Sequence, residues 1–95
     1  MSSARTDERP SRQVRQSRRF GAVAKAVGSR IRELRRRRGL TLEAAAERMN
    51  VDLKHLQKVE AGSLNVTLVT LLRIADGLDE TFASVFRGAP RRRGR

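Results

Sequence analysis

Residues 41–60, TLEAAAERMNVDLKHLQKVE, contain two short segments with the apolar spacing of α-helices, joined by a turn of about three to four residues. Thr41 is a good N-cap for the first segment, and Asp52 is a good N-cap for the second. Between them, Asn50 can adopt the positive φ of a tight turn, and Val51 can fill the corner. The stretch therefore predicts a helix-turn-helix at about 41–60.

The two predicted helices differ in their outer faces. The first, about 42–49, has an inward face of Leu42, Ala45, Ala46 and Met49. The second runs from Leu53 to about Glu60 and buries Leu56 and Val59. Its outer face is polar and basic and consists of Lys54, His55, Gln57 and Lys58. A helix pair of this kind has the geometry that lays its second helix in the major groove of DNA.

Further helices are predicted on both sides of this pair. Upstream, the apolar spacing of Val23, Val27, Ile31 and Leu34, with Ala24 beside them, predicts a helix from about Phe20 to Arg38 that ends at Gly39. Downstream, Thr67 caps a helix that ends near Gly77 and has the apolar residues Leu68, Leu71, Leu72, Ala75 and Leu78. Thr81 caps a last short helix with Phe82, Val85 and Phe86.

The composition fits a single helical domain. The chain has 95 residues, of which 38% are apolar and only three are aromatic, so its core must be built mainly from aliphatic side chains. Such a core suits packed helices better than a sheet. We therefore expect one compact, all-α, five-helix domain at residues 20–88.

The reactive side chains argue against an enzyme or a metalloprotein. There is no cysteine, and His55 is the sole histidine, so no disulfide, thiolate metal site or all-histidine site can form within the chain. Glu43 and Glu47 lie four residues apart on one helix face, which is ordinary helix spacing. We predict no catalytic residue, no metal and no cofactor. With no secretory signal and no membrane-length apolar stretch, we expect a cytoplasmic, nucleoid-associated protein.

Positive charge is concentrated at the two ends of the chain. The net charge is +12, of which residues 1–20 carry +4 and residues 87–95 carry +5. We expect a disordered Arg-rich arm at 1–19 and an Arg-rich tail at 89–95. Arginines near phosphates release condensed counterions, which is typical of nucleic-acid-binding tails. The alternative is that these tails only keep the protein soluble.

Residues 40–62, LTLEAAAERMNVDLKHLQKVEAG, preceded by RIRELRRRRG and followed by NVTLVTLLRIADGL, resemble the Cro and C1 repressor class of helix-turn-helix (XRE-like) regulators. The resemblance covers about residues 23–86. It implies a lambda-repressor-like fold and a stand-alone transcriptional regulator, similar in layout to restriction-modification controller proteins or antitoxin-like repressors. Ala46 matches the small residue at which the two motif helices cross, and Val51 matches the apolar turn residue.

The resemblance also implies a set of DNA contacts. The base-facing positions are Leu53, Lys54, Gln57 and Lys58. The positions implied to face the DNA backbone are Thr41, His55, Ser63 and Asn65. Lys can donate to guanine, Gln can bond adenine, and Leu can touch a thymine methyl group. The alternative for each residue is an ordinary solvated side chain.

Arg35 and Glu60 match an arginine and a glutamate that pair across the domain in this class, the alternative being two solvated charges.

The chain also departs from the class pattern. Leu42 replaces a phosphate-binding glutamine, Ala61 replaces an amide residue, and Asn50 replaces the turn glycine. Two side-chain phosphate contacts are therefore lost, which the arginines at 35–38 or the tails could offset.

A regulator of this kind is expected to bind double-stranded DNA as a homodimer, because one short helix contacts few base pairs. The predicted dimer interface is Phe82, Val85 and Phe86, although the same three residues could instead complete the core of one chain. The alternative function is a helix-turn-helix interaction module that binds a protein partner or structured RNA.

Overall fold

The computed structural model describes residues 18–63 and 66–89, and five helices lie within these ranges. All regular structure in the described part of the chain is helical, which confirms the predicted all-α class. None of the described helices is long and apolar enough to cross a membrane. In chain order the helices are α1 (Arg18–Arg37), α2 (Leu42–Met49), α3 (Leu53–Glu60), α4 (Leu68–Gly77) and α5 (Phe82–Val85).

The helix ends follow from local capping chemistry. Four predicted N-caps are confirmed, since each side chain accepts a hydrogen bond from an amide three residues on: Thr41, Asp52, Thr67 and Thr81. Gly39, just after α1, has a φ of 67°, the left-handed conformation that glycine adopts without strain. The breaks between helices could thus be predicted from these residues.

The outer boundaries of the domain differ from the predicted ones by a few residues. Helix α1 begins at Arg18, so Arg18 and Arg19, predicted to be disordered, are helical. At the other end, the Ala89 amide donates to the Phe86 carbonyl at 3.0 Å and so belongs to the final turn. The rest of the predicted arm and tail, 1–17 and 90–95, lies outside the described residues.

The core is aliphatic, as the composition predicted. All five helices contribute to it, and its largest fully buried side chains are Ile31, Leu34, Met49, Leu56, Ile74, Leu78 and Val85. At about 1.5–3 kcal/mol for each fully buried large apolar side chain, these residues provide the main stabilising free energy. The predicted inward faces of α1, α2 and α3 supply most of them.

The apolar residues of α4 do not all face the core. Two of those that predicted this helix, Leu68 and Leu72, have side chains that are 62% and 44% exposed. The buried stripe is Leu71, Ile74, Ala75 and Leu78, which follows the i, i+3, i+4, i+7 spacing of one helix face. Leu68 and Leu72 lie beyond the margin of that stripe, so the apolar surface of α4 is wider than the core can cover.

Close backbone contact fixes α1 against the end of α3. A Cβ built at Gly28 would lie 2.3 Å from the Val59 carbonyl oxygen and 2.7 Å from the Glu60 carbonyl oxygen. A side chain larger than hydrogen therefore cannot be accommodated without moving one helix. This contact sets the position of α3, the helix with the polar outer face.

A buried arginine ties α5 to α1. Arg30 Nε donates to the Ser84 carbonyl oxygen at 2.9 Å, and its Nη2 donates to Ser84 Oγ at 3.1 Å. Both residues are buried. This contact could not be predicted from the sequence, because Arg30 belongs to an arginine-rich segment in which a buried arginine cannot be distinguished from a solvated one.

Candidate nucleic-acid interface

The turn between α2 and α3 has the conformation that its residues predict. Asn50 adopts a φ of 57° and a ψ of 48°, and its amide donates to the carbonyls of Ala46 and Glu47. The Val51 amide donates to the Ala46 carbonyl at 3.0 Å, and the Val51 side chain packs against the core. Asp52 Oδ2 then accepts the His55 amide and starts α3. These hydrogen bonds hold the two helices in a fixed relation.

The outer face of α3 presents three free polar side chains. Lys54, Gln57 and Lys58 are exposed, and within the described residues none of their side chains makes a hydrogen bond or an ion pair. They are therefore available for an external ligand without loss of an internal contact. Leu53 differs from them, because it is half-buried and packs against the core.

His55 does not belong to this exposed face, contrary to the prediction. Its side chain is half-buried, and its Nε2 is buried with no hydrogen-bond partner among the described residues. In this orientation the ring could contact a phosphate only through Nδ1. Helical spacing places His55 at the margin of the buried face of α3. At such a position, the spacing alone does not show whether the ring points inward or outward.

Two of the other residues predicted to face the DNA backbone already make hydrogen bonds within the domain. Thr41 Oγ1 already caps α2 by accepting the Ala44 amide at 3.0 Å, although its side chain remains exposed. Ser63 Oγ donates to the Lys58 carbonyl at 3.3 Å, so this hydroxyl supports the end of α3. Asn65 lies outside the described residues.

Arg35 and Glu60 form the ion pair that the resemblance implied. Arg35 Nε donates to Glu60 Oε2 at 2.8 Å and its Nη2 donates to Oε1 at 3.1 Å, which is a two-point contact. Arg35 Nη1 also donates to the Leu40 carbonyl at 2.8 Å, and Arg32 lies 3.5 Å from Glu60. The hydrogen bond to Glu60 raises the pKa of Arg35 above its ordinary value. The pair therefore joins α1, the segment before α2 and the end of α3.

The arginines in the last turn of α1 and directly after it are mostly neutralised within the domain. Arg37 pairs with Glu33 at 2.9 Å, and Arg38 lies 3.5 Å from an Asp79 oxygen that Arg48 also approaches. Hydrogen bonding from Arg30, followed by the charge of Arg37, lowers the pKa of Glu33. Within the described residues, Arg36 is the member of the 35–38 run without a carboxylate within 4.0 Å. This run therefore offers little spare charge to replace the two lost phosphate contacts.

The predicted dimer residues are largely part of the domain itself. Val85 is fully buried, so the prediction that it lies at an interface between chains was wrong. Phe82 and Phe86 are half-buried against the core and contact each other edge-to-face, with ring centroids 5.1 Å apart. Only the outer edges of these two rings remain for a partner.

Comparison with known proteins identifies the motif. Residues 26–81 match the family described as a helix-turn-helix domain, and this match includes α2, α3 and most of the helices packed on them. The chain belongs to this helix-turn-helix family. Its relatives in this family include proteins described as HTH-type transcriptional regulators.

Two named relatives are transcriptional regulators. The HTH-type transcriptional regulator RamB of Mycobacterium tuberculosis is 38% identical over 58 residues, which cover 59% of this chain and 12% of RamB. The HTH-type transcriptional regulator y4dJ of Sinorhizobium fredii is 39% identical over 56 residues, covering 59% of this chain and 73% of the relative. This helix-turn-helix chain thus spans only a small part of RamB and most of y4dJ.

Solved structures support the same fold. The restriction-modification controller protein C.AhdI from Aeromonas hydrophila has 36% identity and a TM-score of 0.65, over 66% of this chain and 96% of that chain. A transcriptional regulator of the HTH_3 family from Vibrio cholerae has 31% identity and a TM-score of 0.68, over 70% of this chain and 38% of that chain. The controller protein therefore matches the helix-turn-helix domain over almost its whole length.

Proposed function

We propose that this protein is a sequence-specific, double-stranded DNA-binding transcriptional regulator that places α3 in the major groove. The observation that carries the proposal is the outer face of α3, where Lys54, Gln57 and Lys58 are exposed and have no hydrogen-bond or ion-pair partner among residues 18–63 and 66–89. Lysine ammonium groups suit guanine O6 and N7, and a glutamine amide suits adenine N6 and N7. The fixed turn before α3 supports this role, because base recognition needs a helix held in one orientation.

The DNA backbone is contacted by groups around this helix. Thr41 remains exposed at the start of α2, and Ser63 remains exposed after α3. Asn65 and the Arg-rich segments at 1–17 and 90–95 are further proposed backbone contacts. Phosphate contacts fix the register of a protein on DNA, whereas base contacts provide specificity.

The protein acts as a homodimer on a palindromic operator. One α3 helix of eight residues contacts too few base pairs to distinguish an operator within a genome, and a twofold dimer doubles the contacts. The two half-sites are expected to lie about 34–36 Å apart or a multiple of that distance, which is one helical turn of DNA. The edges of Phe82 and Phe86 remain a proposed part of the interface.

Selection of bound duplexes from a random library tests this proposal. The expected result is an imperfect palindrome with helical phasing. Each change of Lys54, Gln57 or Lys58 to Ala is expected to cost about 1–3 kcal/mol per half-site in operator binding. The full chain carrying all three changes should bind operator and random duplexes with nearly equal affinity.

A matched control separates base recognition from loss of charge. The double change Arg36→Ala and Arg73→Ala removes two exposed cations, as the triple change does, but from helices other than α3. This control should weaken operator and random duplexes alike and keep their ratio. If the triple variant stays folded and also keeps the ratio, the assignment of α3 is wrong. A preference for structured RNA over every duplex would instead favour the RNA-binding alternative.

A further inference from the structure

Cations line one outer face of α1 over almost its whole length. At about 100° per residue, positions 18, 25, 32 and 36 fall within roughly 40° of one another around the helix axis. Their side chains are exposed, and at 1.5 Å per residue they span about 27 Å along the axis. We call these four residues, with the exposed serine between them, the cationic α1 face: Arg18, Lys25, Ser29, Arg32 and Arg36.

Little of the charge on this face is neutralised within the domain. In the described part of the chain, three of its cations have no carboxylate within 4.0 Å: Arg18, Lys25 and Arg36. The fourth, Arg32, lies 3.5 Å from Glu60, but that carboxylate already accepts two hydrogen bonds from Arg35. Glu33, at the margin of the face, already pairs with two other arginines. Because like charges on one helix face destabilise the helix, an anionic ligand would stabilise this arrangement.

The spacing of these cations fits an extended polyanion. Cations spread over about 27 Å cannot all contact one small anion, whereas each strand of a duplex carries one phosphate per about 3.4 Å of helix axis. The face also contains no large apolar side chain, so it lacks the apolar centre of a typical interface between proteins. Both features favour a nucleic-acid backbone as the ligand.

The cationic α1 face borders the DNA-backbone contacts proposed around α3. A Cβ built at Gly62, one residue before Ser63, would lie 2.7 Å from the Lys25 Cα atom, so this part of α1 touches the loop after α3. At the other end of the face, Arg36 lies in the last turn of α1, just before the short segment that leads to Thr41. A DNA backbone held at Thr41 and Ser63 therefore has the long cationic side chains of α1 within reach.

We infer that the cationic α1 face binds the phosphate backbone of the same duplex whose major groove receives α3. This inference rests on the proposed function and adds to it a contact surface on a helix outside the helix-turn-helix pair. Because the contacts are made to phosphates, they strengthen binding to every sequence and leave the base preference to α3.

A triple variant of the full chain tests the inference. R18Q, K25Q and R36Q together remove the three cations of the face that have no carboxylate partner in the described part of the chain. All three side chains are exposed, so the helical circular dichroism should be retained. Affinity for operator and random duplexes should fall at least about tenfold, and the slope of log affinity against log salt concentration should decrease by roughly one unit per lost phosphate contact.

The matched control removes the same number of exposed cations from other surfaces: R19Q, R73Q and R87Q. These arginines also have no carboxylate within 4.0 Å among residues 18–63 and 66–89, and Arg19 lies about 100° around α1 from Arg18. The control has the same net charge as the test variant, yet it should bind nearly as tightly as the wild type and keep its slope. Equal losses in the two variants would show an effect of net charge alone, and the inference would be wrong.

A tethered iron chelate locates the cationic α1 face on the DNA. The chain has no cysteine, so S29C introduces a single thiol on the face without removing a cation. With iron–EDTA attached to this thiol and activated by ascorbate and peroxide, cleavage of the operator backbone is expected at a few successive nucleotides of each half-site. A83C, exposed on α5, is the control and should give little cleavage. Equal cleavage by the two variants, or none from S29C, would contradict the inference.

These outcomes are distinguishable from a failure of the proposed function. If the library selection yields no preferred duplex, base recognition by α3 is wrong, but the salt titrations with random duplexes still measure the contribution of the α1 face. If the variant of α3 loses the ratio of operator to random affinity while the variant of α1 keeps the wild-type salt slope, the proposed function stands and this inference is wrong. A loss of affinity for structured RNA without a loss for duplex DNA would also overturn it.

Discussion

Glu60 connects the end of α3 to α1 through a buried ion pair with Arg35. It is 5% exposed and accepts two hydrogen bonds from Arg35, with Arg32 3.5 Å away. Glu60→Gln removes the negative charge and leaves the buried Arg35 guanidinium without its counter-ion. Because an unpaired buried charge is costly, we expect the free energy of unfolding to fall by about 3–5 kcal/mol.

Denaturant unfolding of the variant checks this expectation. The matched control is Asp79→Asn, which breaks the ion pairs of an exposed aspartate with the exposed Arg38 and Arg48 and should have little effect. Equal losses in the two variants would mean that the Arg35–Glu60 pair contributes no more than a surface ion pair. Operator affinity of the Glu60 variant should fall as well, because α3 loses its connection to α1.

The exposure of single side chains could be predicted where helical spacing placed them near the centre of a buried or an exposed helix face. Lys54, Gln57 and Lys58 were correctly predicted to be exposed on this basis. The burial of Arg30 and His55 could not be predicted, because both residues lie at the margin of a buried face. The direction of a long or planar side chain there depends on neighbours from other helices, which spacing along one helix does not contain.

The close crossing of α1 over the end of α3 can be tested by a substitution at Gly28. Gly28→Ala would place a Cβ 2.3 Å from the Val59 carbonyl oxygen, so the two helices must separate. We expect a loss of about 1–3 kcal/mol in the free energy of unfolding, the usual effect of overpacking. Thermal unfolding followed by circular dichroism measures it.

Gly21, in the same helix, provides the matched control. A Cβ built there meets no atom within 4 Å, and alanine favours a helix more than glycine does. Gly21→Ala should therefore stabilise the protein by about 0.5–1 kcal/mol. If both variants were stabilised, the close contact between α1 and α3 would not exist in solution.

Helix number and most helix ends could be predicted because capping residues act locally. The side chains of Thr41, Asp52 and Thr67 bond amides three residues away, so their effect does not depend on the rest of the fold. The inward face of α4 could not be predicted completely. Leucines on both sides of the helix left two stripes possible, and only packing against the other helices selected the one that contains Ile74.

For the whole molecule, charge outside the described domain is expected to determine the salt dependence of binding. Residues 1–17 carry four arginines and two acids, and residues 90–95 carry four arginines. Deleting both segments should reduce the slope of log affinity against log salt concentration by roughly one unit per lost phosphate contact, because fewer counterions are released. Titrations of operator and random duplexes at several salt concentrations measure this slope.

The two duplexes also provide the control for the truncation. Arginine-rich segments whose sequence shows no pattern that fits a base edge should strengthen binding to all sequences about equally. The ratio of the affinity for the operator to the affinity for a random duplex is therefore expected to stay unchanged after the deletion. A truncated chain that kept the salt slope but lost the ratio would show that the tails, rather than α3, recognise the sequence.

The claim that α3 recognises bases is tested most directly by a change of specificity. Lysine favours guanine and glutamine favours adenine, so we expect Lys54→Gln to change the selected base from guanine to adenine at symmetry-related positions of the two half-sites. The remaining positions should stay as in the wild type, which selection from the same random duplex library would show. Unchanged base preferences with uniformly weaker binding would contradict base recognition by α3, because Lys54 would then contact only the DNA backbone.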